Sequence, residues 1–230
     1  MNVSAILLAR VLGFFEIAAL NPRNGLFFPD VTKELVQTFN FQTFPRTLEE
    51  WRDPNGSQFS SGKLGTVVID KFVLFNNGIQ VDTSTNTTES KRILLAILEW
   101  GKEKFGLSYS SGSIVRWGYV SNLVFASDVA ILSTPPLENL SIRVSDALTD
   151  EGIGLGVRPL IYQPIFQAVG HDPLATKYGR APFTIQRRLD VPFDDNKYFS
   201  EAPLPTDVHI ELLRKFEQDC AAFPQTWVAK

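Results

Sequence analysis

Residues 5–20 read AILLARVLGFFEIAAL, an apolar run interrupted only by Arg10 and Glu16. A secretory leader needs positive charge ahead of its apolar core and small residues at a cleavage site, whereas Arg10 lies inside the run. A membrane helix needs about 20 largely uncharged residues, and two interior charges make insertion costly. Helix or strand remains. On a helix, the step from Arg10 to Glu16 separates them by about 120° and splits any apolar face. On a strand, an even step puts both on one side. Leu7, Ala9, Val11, Gly13, Phe15, Ile17 and Ala19 then form an unbroken apolar face, while Ile6, Leu8, Leu12 and Phe14 share the other with the two charges. The spacing predicts a long strand covered in part on both faces, with Gly13 marking a bend.

Asp30 next suits the N-cap of a helix carrying Val31, Leu35 and Phe39 at four-residue steps. The stretch from Phe41 to Gly65 is punctuated by Pro45, Pro54, Gly56, Gly62 and Gly65 and reads as a long irregular loop. Thr66–Phe75 and Ile79–Thr83, joined by Asn76-Asn77-Gly78, read as a β-hairpin, since Asn-Gly supplies the positive φ of tight turns. Asn86 and Glu89 cap a helix with the stripe Ile93, Leu94, Ile97, Leu98, Gly101 and Phe105, closed by Gly106. Residues 114–132 are β-branched and aromatic and give one bent strand or two short ones. A helix is expected over 137–150, an edge strand around Pro159 and Pro164, and a short strand over Phe183–Leu189. Thr206 caps a terminal helix with Val208, Leu212, Phe216 and Cys220 as its apolar stripe. The hairpin and the irregular alternation exclude a doubly wound fold. They predict an α+β protein, a mainly antiparallel sheet packed by about four helices, in a single domain over 1–230 with residues 133–136 as the alternative point of division.

The 22 basic and 25 acidic residues are dispersed, giving a net charge of −3, which argues against a broad basic nucleic-acid face. Binding of a single strand on an aromatic sheet face would require Trp117, Tyr119 or Phe125 to be exposed beside basic residues. One cysteine, Cys220, cannot form an internal disulfide, which fits a reducing compartment. On a helical apolar stripe it reads as a structural cysteine.

Two histidines and no C-x-x-C or H-E-x-x-H leave no zinc centre in view. His171 beside Asp172 could act as an oriented general base, although a turn-forming Asp-Pro loop explains the pair as well. Gly152, Gly154 and Gly156 lack the context of a phosphate loop. Arg180, Arg187 and Arg188 are candidates to hold an anionic substrate. The segment from Asp190 to Glu201 sets Asp194 and Asp195, candidate divalent-metal ligands, among Phe193, Tyr198 and Phe199, candidate anchors for a partner. Arg10, Glu16 and other strand charges need company if they are buried.

These features predict a soluble cytoplasmic protein without cofactor or membrane association: a protein-binding or assembly module, partnered or self-associating, with no recognisable catalytic machinery. The competing expectation is a hydrolase or transferase for an anionic substrate, working through His171 and Asp172 or a divalent ion held by the Asp190–Glu201 loop.

Overall fold

The opening run forms a strand, but one that ends early. In the computed structural model, which describes residues 1–21, 25–132, 143, 146, 165–166 and 182–222, β1 spans Asn2–Phe14 and the chain then coils into a short helix, α1 (Ile17–Leu20). The cause is the neighbour's length. Phe14 lies opposite Gly78, the first residue of β4 (Gly78–Thr83), so beyond the bond from the Phe15 N–H to the Asn77 carbonyl (3.0 Å) that ladder has nothing left to pair with. Glu16 is therefore off the strand and exposed, and it shares no strand face with Arg10. Arg10 does find company. In register with Asp82, it donates from Nε (2.9 Å) and Nη2 (2.8 Å) to the two carboxylate oxygens, and Gln80 Nε2 donates to both at 3.0 Å. Asp82, 3% exposed, thus has both oxygens satisfied by side chains, as a buried carboxylate requires.

Among the described residues the architecture is α+β, with eight strands, seven of them in antiparallel ladders, and five α-helices. Two compact units divide the chain: Ile6–Asn122 with Pro203–Asp207, and Met1–Ala5 with the described residues of 123–202 and those from Val208.

In the Ile6–Asn122 unit the strand order is β2 (Ser57–Leu64), β3 (Val67–Phe75), β4, β1, β5 (Arg116–Ala126). The hairpin over Thr66–Thr83 is present as β3 and β4, although Asn76 and Asn77 make its turn without positive φ. Gly78 is required for packing: a Cβ there would collide with the Gly13 carbonyl oxygen of β1. The stretch read as a long loop instead holds a helical turn, α3 (Leu48–Trp51), fixed by a reciprocal Thr47–Glu50 capping box, and the whole of β2. Its serines and Gly62 hid the strand. Gly62 is there because the Phe41 ring lies where a side chain would go, at 2.5 Å. Helix α2 (Phe28–Phe39) starts two residues before Asp30, since Pro29 needs no N–H partner in a first turn. Helix α4 (Thr87–Phe105) follows its expected pattern, with Asn86 accepting from the Glu89 N–H (2.8 Å) and Gly106 left-handed at φ 69°. Ile93, Leu94, Ile97 and Leu98 enter a core with Val11, Phe72, Ile79 and Val81.

In the other unit the order runs β8 (Lys197–Ala202), β7 (Phe183–Arg187), β6 (Ile165–Phe166), with the end of β5 on the free side of β8. The segment read as a Pro-bounded loop is therefore half strand: a 3₁₀ turn at Phe193–Asp195, Asn196 left-handed at φ 46°, then β8. Helix α5 (Thr206–Ala222) closes the described chain. The helix expected over 137–150 lies outside the described residues apart from Arg143 and Asp146. Among the described residues no helix is long and apolar enough to cross a membrane.

Candidate functional site

The β7–β8 hairpin sorts the residues singled out by sequence. Arg187 and Arg188 are adjacent on extended backbone, so they point to opposite faces and cannot clamp one anion together. Arg187 is 6% exposed, donates to the Tyr198 hydroxyl (3.0 Å) and lies 5.0 Å from the centre of that ring. Arg188 turns outward and pairs with Asp190, its Nε 2.7 Å from Oδ1. That contact holds the Asp190 carboxyl below its ordinary value. Tyr198, proposed from sequence as a surface anchor, is fully buried and stacked on Phe125 at 5.5 Å. Strand alternation is the reason: Tyr198, Ser200 and Ala202 share the inward face of β8, while Phe199 is half-buried on the other. Burial pushes the Tyr198 phenol up, although Arg187 opposes this. Phe193 belongs to the 3₁₀ turn. Asp194 and Asp195 are exposed, Asp195 sits 3.7 Å from Lys197, and no group of three acidic, His or Cys side chains suited to a metal occurs among the described residues. His171, Asp172, Arg180 and the Gly152–Gly156 run lie outside the described residues. Trp117 and Tyr119 pack half-buried against the core, with Lys91 Nζ 4.5 Å from the centre of the Trp117 ring, and Phe125 is fully buried.

Sequence reasoning missed a buried Ser–His pair. Ser200 Oγ donates to the Thr184 carbonyl (2.7 Å) and lies 2.8 Å from His209 Nε2, with both side chains fully buried. Because the serine proton is committed to the carbonyl, the imidazole must be the donor to Oγ. That is the reverse of the proton path a nucleophilic serine needs.

His209 lies inside because α5 is turned the other way from its apolar pattern. Thr206, His209 and Leu213 are buried and Glu217 is nearly so, whereas Val208, Leu212 and Phe216 are 39%, 42% and 36% exposed. The inward polar groups Thr206 and Glu217 are both engaged. Thr206 and Thr87 cap each other's helices, each backbone N–H donating to the other's hydroxyl at 2.9 and 3.1 Å. Glu217 accepts from Ser127 Oγ (2.6 Å), the Asp128 N–H (2.9 Å) and the Met1 ammonium (2.6 Å). Burial pushes the Glu217 carboxyl up, but these three donors outweigh it and hold the group below its ordinary value. Cys220 is half-buried with its Sγ 3.8 Å from the Ile131 carbonyl, and burial raises its thiol, opposite to the shift of a reactive cysteine.

The Ile6–Asn122 unit holds a different feature, an apolar cavity of about 90 Å³, or about 690 Å³ when space out to its open mouth is counted. Phe15, Phe28, Trp51, Phe59, Phe72, Trp100 and Phe105 supply rings, and leucines of α1, α2 and α4 fill the gaps between them. Among the described residues Asn21 carries the one amide in the wall and stands exposed. Phe28 and Trp51, with ring centres 5.0 Å apart, stand on α2 and α3, and Phe27 and Leu48 beside them are 68% and 55% exposed.

Neither a protein-family model nor a curated protein matches this chain.

Proposed function

We propose that the protein is a binding or assembly module rather than an enzyme, and that its contact is the outward stripe of α5 meeting the same stripe of a second copy. The observation that carries this reading is that the most regular apolar pattern of the terminal helix, Val208, Leu212 and Phe216, is left in solvent while polar groups take the inside. Charge on the same helix favours a second copy. Glu211 and Lys215, paired at 2.6 Å one turn apart, flank Leu212. In an antiparallel pair crossing at Leu212, Glu211 of one copy comes beside Lys215 of the other, so the stripe is self-complementary. Three half-exposed side chains fall well short of the roughly 800 Å² per partner of a standard interface, so the association is weak and concentration-dependent.

Light scattering across a concentration series tests this. The mass rises with concentration, Leu212→Glu abolishes the rise, Lys215→Glu weakens it, and Glu211→Lys combined with Lys215→Glu restores it. A strict monomer at every concentration, or a rise indifferent to Leu212→Glu, overturns the reading.

A further inference from the structure

We propose that the cavity of the Ile6–Asn122 unit is a binding site for a small uncharged apolar molecule about the size of one aromatic ring. This is independent of α5 and of self-association. Chemistry comes from the wall: Phe15, Phe59, Phe72, Trp100 and Phe105 present rings, and among the described residues no charged side chain lines the space. A carboxylate, phosphate or ammonium would lose its hydration there without compensation, which excludes charged ligands from the interior. Ring faces and edges accept a further ring in offset or edge-on contact.

Size comes from the volume. An apolar cavity of about 150 Å³ stays dry and takes benzene. The interior here is about 90 Å³, smaller than that, and it is open at one mouth, so a single ring seated partly in the mouth is the upper limit and a long lipid tail does not fit. Pockets that receive small molecules are concave, mostly apolar and carry few polar groups, and Asn21 at this wall is such a group. The walls come from α1, α2, α3, α4 and the sheet, so a bound ring touches several elements at once. It would stabilise the folded chain by mass action.

Toluene is the probe, with benzoate as its charged counterpart of similar size. Thermal unfolding of the full chain is followed by circular dichroism, and tryptophan emission reports on Trp51 and Trp100. Toluene raises the melting temperature saturably and shifts the emission, and benzoate does neither at the same concentration. Val31→Trp, which fills the space from α2, raises the melting temperature on its own and removes the toluene response. Should Val31→Trp fail to fold, Leu26→Trp supplies the same block from another wall. No saturable response to toluene, an equal response to benzoate, or a toluene response undiminished in a folded blocked variant would overturn the proposal.

Discussion

The two compact units build their interiors with different emphasis, although the Ile6–Asn122 unit also buries Asp82 against Arg10 and Gln80. The Ile6–Asn122 unit is held by rings: Phe41, Phe59 and Phe72 form a cluster with centres 5.4–5.9 Å apart, and Phe39 meets Trp100 edge-on at 5.5 Å. The unit of β7, β8 and the body of α5 also buries polar side chains in specific pairs: Arg187 on Tyr198, Ser200 on His209, and Glu217 on Ser127 and two nitrogens. Apolar packing is non-directional and tolerates an imperfect fit, which is how a cavity can persist among rings. Hydrogen bonds are directional, and an unmet buried partner is costly. The polar unit therefore specifies its helix face tightly, and that requirement turns the apolar stripe of α5 outward.

The contrast can be broken at either end. In the aromatic unit, Phe72→Ala removes a ring at the centre of the cluster and is expected to destabilise by about 3–5 kcal/mol, read from chemical denaturation with an unchanged denaturant slope. In the polar unit, Glu217→Gln keeps the shape, removes the charge and turns one acceptor into a donor, for about 1–2 kcal/mol at neutral pH. Its pH dependence sharpens the distinction. The Glu217 carboxyl is depressed on folding, so its contribution is complete above the unfolded value near about 4.3 and is lost as the pH falls through the lower folded value. The Met1 ammonium is raised, chiefly by its bond to Glu217, so its share is complete below about 8 and is lost as the pH rises through the folded value. Stability measured across pH should therefore show a plateau between these limits in the wild type and a shallower acid limb in Glu217→Gln. Phe72→Ala should lower the whole curve without changing its shape.

How much of this was legible in the sequence differs between the two units for the same physical reason. Where burial is apolar, pattern and burial coincide: the α4 stripe, its Asn86 cap, the β3–β4 hairpin and the strand character of residues 5–14 follow from spacing. Where burial is polar, they separate. Both Val208-Leu212-Phe216 and Thr206-His209-Leu213-Glu217 satisfy a helical repeat, and hydrophobicity selects the wrong one. In β8, Tyr198, Ser200 and Ala202 alternate inward without an apolar signature, so the strand read as a loop and Tyr198 as a surface residue. The early end of β1 depended on where β4 begins, which no local pattern carries. The cavity was out of reach for another reason, because its wall residues come from seven elements and each reads as ordinary core.

The orientation of α5 underlies both this contrast and the proposed assembly contact. Two adjacent leucines test it most directly, by measuring the unfolding free energies of Leu212→Ala and Leu213→Ala at a concentration where the protein is monomeric. Leu213 is 1% exposed and Leu212 42%, so Leu213→Ala should cost about 2–5 kcal/mol and Leu212→Ala stay within about 0.5 kcal/mol of the wild type. The reverse order would place the apolar stripe in the core and contradict the account.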